Sequence, residues 1–210
     1  MRNFVVEAFG SRYLDEDSTL TLRLKVLKDK LSNREFEQIL FLYTCRANAI
    51  LADFVRDVYW PAYASGRAKL TNNEARDFVL HANQDGKTTT LWSDNLVDRV
   101  ARYLTSACAD FGLLERGIRS ERGILTYRIE PRVTAILAYD LHFAGHGDNA
   151  ILAHPDWGLF GLERADVLEE VKNLALRNLL IVQSAGGVTK ISWQHNSTEE
   201  LIDVLTRNEL

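Results

Sequence analysis

Five arginines fall between Arg116 and Arg132, at Arg116, Arg119, Arg122, Arg128 and Arg132, against Glu121 and Glu130 alone, a net +3 over seventeen residues. A planar guanidinium donates two parallel hydrogen bonds to one phosphate, so arginines at this density suit a nucleic-acid backbone. Such runs also occur on solvated hairpins with scattered ion pairs, and the run by itself does not choose between the two. His142 and His146, four residues apart, with His154 downstream, have the residue types of a zinc site. Gly145 and Gly147 break the helix that would align them, and no Glu follows the first His, so a loop of hydrogen-bonded or exposed histidines is expected instead. Asp53 with Asp57, and Asp15-Glu16-Asp17, are carboxylate clusters of the kind that helix faces and loops leave solvated. The chain has no phosphate-binding Gly-x-x-x-x-Gly-Lys loop, no dinucleotide fingerprint and no nucleophile elbow. No catalytic constellation, cofactor or metal is expected, and the chain reads as a non-enzyme.

The arginines need elements to aim them. From Asp94 to Phe111 the apolar residues Leu96, Val97, Val100, Ala101, Leu104, Ala107, Cys108 and Phe111 form one helical stripe. Asn95, Arg99, Arg102 and Ser106 are left off that stripe. Ser93 and Asp94 precede the helix as caps, and Gly112 ends it. Leu113-Leu114, a Gly- and Arg-rich turn, and the extended run Ile124–Ile129 follow, stopped by Pro131. Upstream, Thr71-Asn72-Asn73-Glu74 is a capping box that opens a short helix through Ala75, Phe78, Val79 and Ala82. Short helix, capped helix and hairpin are the plan of a winged helix-turn-helix, whose second helix fits the major groove while the wing reaches neighbouring phosphates. The expected DNA-binding residues are Asn95, Arg99, Arg102, Arg116, Arg119, Arg122 and Arg128, with the wing running from Leu113 to Ile129.

Helical spacing also spans Asn33–Tyr59, ended by Trp60-Pro61, and Leu20–Leu31, giving an N-terminal helical region. Further on, a helix over Arg164–Arg177 leads to a strand at Leu179–Val182. The turn Ser184-Ala185-Gly186-Gly187, a second strand at Val188–Trp193 and a closing helix at Thr198–Arg207 follow. This repeats the helix–hairpin order. The expected fold is mainly α within α+β, a helical bundle over residues 1–70 followed by winged-helix-like units over 71–132 and 133–210. The second unit lacks the basic patch: residues 151–210 carry nine acidic and five basic side chains, which suits protein contact better than DNA.

The 210 residues carry a net charge of −4, with 46% apolar and 26% charged side chains, the composition of a packed domain rather than a disordered tail. Resolved along the chain, the charge is +2 for residues 1–132, −2 for 133–150 and −4 for 151–210. A uniformly basic coat is excluded; a local DNA-facing patch is not. The longest apolar stretch, Ile39–Val55, holds Arg46, Asn48 and Asp53 and is too short to span a bilayer. No membrane partner is expected. The first residues lack the apolar core of a signal peptide, and the two separated cysteines, Cys45 and Cys108, suit a reducing cytoplasm.

Several segments together resemble the BrxA family of bacteriophage-exclusion (BREX) defence systems. They are Phe54-Val55-Arg56-Asp57-Val58-Tyr59-Trp60-Pro61-x-Tyr63-x-x-Gly66, Leu91-Trp92-Ser93, Asp110-Phe111-Gly112-Leu113-Leu114, and Ile151-Leu152-x-His154-Pro155-Asp156-Trp157-x-Leu159-Phe160. The resemblance implies a small cytoplasmic accessory protein with winged-helix character and affinity for double-stranded DNA. Its implied partners are the system's methyltransferase, alkaline-phosphatase-like protein and ATPase. It supplies no catalytic motif and no DNA-contact residues to carry over. A protein–protein adaptor without intrinsic DNA affinity is the competing expectation.

Overall fold

The computed structural model describes residues 19–88, 90–117 and 120–207. In chain order the elements are helices α1 (Thr19–Lys30), α2 (Asn33–Ala47) and α3 (Ala49–Phe54), a π-turn (Val55–Tyr59), α4 (Trp60–Ala64), strand β1 (Lys69–Thr71), α5 (Asn72–Gln84) and α6 (Asp94–Asp110). Strand β2 (Glu121–Gly123), α7 (Pro131–Phe143), α8 (Asp148–Leu152), a 3₁₀ turn (Pro155–Phe160), α9 (Arg164–Leu176), β3 (Leu180–Ala185), β4 (Val188–Trp193) and α10 (Thr198–Arg207) complete it. The chain is mostly helical with two small antiparallel pairings, an α+β arrangement, as the periodicity predicts.

The helix expected over 33–59 is interrupted. Asn48 takes an extended conformation, φ −131°, and its side chain accepts from the Leu51 N–H, capping a new helix. Helical structure also continues past Trp60-Pro61 to Ala64. The π-turn permits this: the Trp60 N–H reaches back to Val55 O, and Pro61 then sits in the first turn of α4, where no N–H is required of it.

Asn48 is also where the chain changes unit. One compact unit takes residues up to Ala47 together with those from Arg128 onward; the other is Asn48–Tyr127. The boundaries expected at 70/71 and 132/133 fall inside β1 and α7.

In the Asn48–Tyr127 unit, β1 pairs antiparallel with β2, Lys69 opposite Gly123 and Thr71 opposite Glu121. Leu114 bridges to Ile124, and the Leu125 N–H donates to Leu113 O, which adds a short third strand on the far side of β2. Of the run expected over Ile124–Ile129 only Ile124 bridges, with Leu125 adding one hydrogen bond; the strand forms earlier, at Glu121–Gly123, and residues 126–130 carry no ladder. The order is therefore helix, β1, α5, α6, the 114 strand, β2. Thr71 opens α5 with the predicted capping box: its Oγ1 accepts from Glu74 N–H while Glu74 Oε2 accepts from Thr71 N–H. The α6 stripe is buried as predicted, with Val97, Ala101, Leu104 and Cys108 at the core. Ser93 occupies the N-cap position, but its side chain makes no cap hydrogen bond.

The other unit is built around α7, buried from Val133 through Tyr139 on every face. Gln38 on α2 ties it to the entering chain, donating to Arg128 O and accepting from Glu130 N–H. Phe41 meets Phe160 edge-on at 5.7 Å. The β3–β4 hairpin turns through Gly186 and Gly187, φ 58° and 80°, a two-residue connection whose positive φ values exclude most side chains. Tyr139 Oη donates to Leu179 O and accepts from Gln194 N–H, fixing the hairpin base. Among the described residues no helix is long and apolar enough to cross a membrane.

Candidate nucleic-acid interface

Three of the expected residues share a face. Asn95, Arg99 and Arg102 are all exposed on α6, and Ser106, half-buried, continues their line. Spacings of four, three and four residues keep them on one side of the helix over about 16 Å. Neither arginine has an ion pair among the described residues. The two acids in the first half of the same helix are drawn elsewhere: Arg76 on α5 donates to Asp98 at 2.7 Å and lies 3.8 Å from Asp94. That pairing locks α5 to α6 and leaves the Asn95–Arg99–Arg102 stripe positive.

The remaining expected residues separate. Arg116 is exposed in the loop after α6, with one guanidinium nitrogen 3.3 Å from Asp110 O. Arg119 lies outside the described residues, as does the Asp15-Glu16-Asp17 cluster. Arg122 points inward. It is 8% exposed, its Nη1 donates to Glu115 O at 3.0 Å and its Nη2 to Ser106 Oγ at 3.3 Å. The guanidinium thus clasps the wing to α6, and the alternation of β2, with Glu121 outward and Arg122 inward, puts it there. Arg128 is exposed but belongs to the other unit, where its carbonyl accepts from Gln38.

Two of the three histidines meet, the His146 and His154 rings lying 5.0 Å apart, while His142 stands in the last turn of α7 and not in the expected loop. His142 stacks on Trp193 at 4.4 Å with planes 9° apart, and His154 Nδ1 accepts from Asp156 N–H. Among the described residues no group of three or more His, Cys, Asp or Glu is arranged to hold a metal ion.

Sequence reasoning missed a half-buried ionic cluster in the α7 unit. Arg46 donates to Asp140 at 2.5 Å and to Asp156 at 2.7 Å, Arg23 lies 3.4 Å from Asp140, and the Arg46 guanidinium sits 5.4 Å over the Tyr43 ring. Burial works against the Arg46 cation, but the two carboxylates more than offset it and hold its pKa above the ordinary arginine value. Burial, with Asp140 adding to it, pushes the Tyr43 phenol up to about 12. Every charge is internally matched, so the cluster cross-links four chain segments, α1, α2, α7 and the 3₁₀ turn, and offers no reactive group. Its members stand 94 and 110 positions apart, which no local pattern announces.

A family model, BrxA, matches residues 15–140. The chain belongs to the BrxA family. Membership associates it with the BREX phage-defence system. The BrxA match contains the whole Asn48–Tyr127 unit with its α6 stripe, while the β3–β4 hairpin lies beyond it. BrxA is not known as a family of enzymes. No curated protein and no solved structure matches the chain.

Proposed function

We propose that this BrxA-family chain is a non-enzymatic accessory protein of phage defence that binds double-stranded DNA through its Asn48–Tyr127 unit. The order helix, strand, helix, helix, strand, loop, strand supports a winged helix-turn-helix reading. In this reading α6 enters the major groove and the loop at Arg116 lies along a phosphate backbone. The observation that carries it is the exposed Asn95–Arg99–Arg102 stripe, kept positive because Arg76 engages Asp94 and Asp98. Arg122 enters as a positioning residue that holds the wing, not as a phosphate contact.

The experiment is an anisotropy titration of the full chain with duplex DNA at rising salt. Binding whose logarithm falls linearly with log salt, by about 0.9 per phosphate contact, supports the reading. Arg99→Ala with Arg102→Ala should then flatten the slope by about 1.8 and cost about thirtyfold at about 0.15 M salt. Unchanged affinity and slope in that double variant would remove α6 from the interface.

The adaptor reading has its own observation. In the other unit Leu176, Val188 and Ile181 are 83%, 62% and 50% exposed, apolar surface of the kind partner proteins cover. Co-purification with the system's methyltransferase, phosphatase-like protein or ATPase, and no duplex binding, would favour it.

A further inference from the structure

The turn into α6 is built around one buried side chain. Asn83, 5% exposed at the end of α5, accepts the Trp92 N–H on its Oδ1 at 2.8 Å and donates from Nδ2 to Trp92 O at 3.1 Å. Thr88 Oγ1 donates to the same Oδ1 at 3.0 Å. Both backbone groups of Trp92 are therefore fixed to the helix core. The residue immediately before it, Leu91, is nonetheless 83% exposed. An apolar side chain costs free energy when it is held in water, and a buried asparagine here fixes the backbone that holds it there. Four residues on stands Asn95, the first exposed position of the stripe, whose amide has no hydrogen-bond partner among the described residues. Asp94 between them is drawn toward Arg76 on α5.

We infer that Leu91 and Asn95 read base edges in the major groove, giving the interface a preference for adjacent A·T pairs. The inference rests on the DNA-binding reading above. The chemistry follows from what the groove displays. Adenine presents an acceptor, N7, beside a donor, the N6 amino group, and an asparagine amide matches both at once. Thymine presents a C5 methyl group, whose natural partner is an apolar side chain. The residues at the start of a recognition helix are those that reach base edges, while its later residues and the wing meet phosphates. Here Leu91 stands just before α6 and Asn95 in its first turn, and the cations Arg99 and Arg102 follow. The positive stripe would set affinity; Leu91 and Asn95 would set register and sequence.

The test uses the full chain and a duplex library randomised over about ten base pairs, one turn of the helix. Selection by the parent protein should enrich sites with an A·T pair next to a T·A pair. On the selected duplex, replacing the thymine by uracil removes only the methyl group and should weaken the parent about fourfold, the worth of one buried methyl. Replacing the adenine by 7-deazaadenine removes one of the two acceptor–donor contacts and should weaken it about tenfold or less. Leu91→Ser should abolish the thymine–uracil difference and Asn95→Ala the adenine difference, each leaving the salt slope intact. Both positions are exposed, so neither variant threatens the fold. A library that shows no enrichment while binding remains steeply salt-dependent overturns base reading and leaves the DNA-binding reading standing. Enrichment that neither variant alters also overturns it. Failure to bind any duplex overturns both.

Discussion

Replacing Arg122 by alanine separates a structural cation from a DNA-contacting one. Alanine keeps the β-carbon, so two buried methylenes of the stem are lost, worth about 0.8 kcal/mol each. Its two hydrogen bonds, to Glu115 O and Ser106 Oγ, contribute about 1 kcal/mol apiece. Against these stands the cost of burying a cation whose Nε has no partner among the described residues, taken as about 2 kcal/mol. Arg122→Ala should therefore destabilise the unit by about 2 kcal/mol. For a cooperative unit of eighty residues that lowers Tm by about 10 °C. Differential scanning calorimetry of the full chain reads the shift. A duplex titration well below the new Tm should show an unchanged salt slope. The reasoning is refuted if Tm stays where it was and the slope falls by about 0.9, the signature of a lost phosphate contact.

Arg46→Ala should cost the other unit about 3 kcal/mol, because Asp156 would stay buried without its cation; a urea midpoint measures this, and DNA affinity should not move. Glu74 gives a pH dependence. The Arg67 guanidinium, then the Thr71 N–H and hydroxyl, outweigh partial burial and hold its carboxyl at about 2 against an ordinary value of 4.5. The folded pKa lies below the unfolded one, so the stabilisation is present above about pH 4.5 and is lost as pH falls toward about 2. The stability difference between the parent and Glu74→Gln should accordingly shrink across that window in urea titrations and stay constant above it. Cys108 is wholly buried and its thiol is pushed up to about 12 by burial, with the nearby Arg122 charge opposing. Neither it nor buried Cys45 should react with a thiol reagent in the folded chain, and both should react at once in denaturant.

Much of the candidate interface is legible in the sequence because its signals are local. The Thr71–Glu74 capping box and the 3.6-residue stripe of α6 each lie within a few turns, and Asn95, Arg99 and Arg102 follow once that stripe is assigned. Strand β1 was not legible: three residues carry no alternation, and its partner is some fifty positions away. The inward facing of Arg122 is illegible for the same reason, since it depends on that pairing, and an arginine in a Gly- and Arg-rich turn looks solvent-bound. The break at Asn48 leaves the apolar spacing of 33–59 intact, so only its cap geometry reveals it.

The unit that holds α7 is discontinuous in sequence, and this sets an order of assembly. A chain made from its first residue onward has every strand and helix of Asn48–Tyr127 once Tyr127 has been added. Helix α2 is finished long before that, yet Gln38 waits for Arg128 and Glu130, and Arg46 waits for Asp140 and Asp156. Domains form as soon as their parts exist, so the inserted unit matures first on the ribosome. Through that interval the apolar face of α2, with Ile39, Phe41 and Leu42, stands uncovered. The nascent protein is then most exposed to aggregation and most in need of a chaperone, a vulnerability that the finished molecule no longer shows.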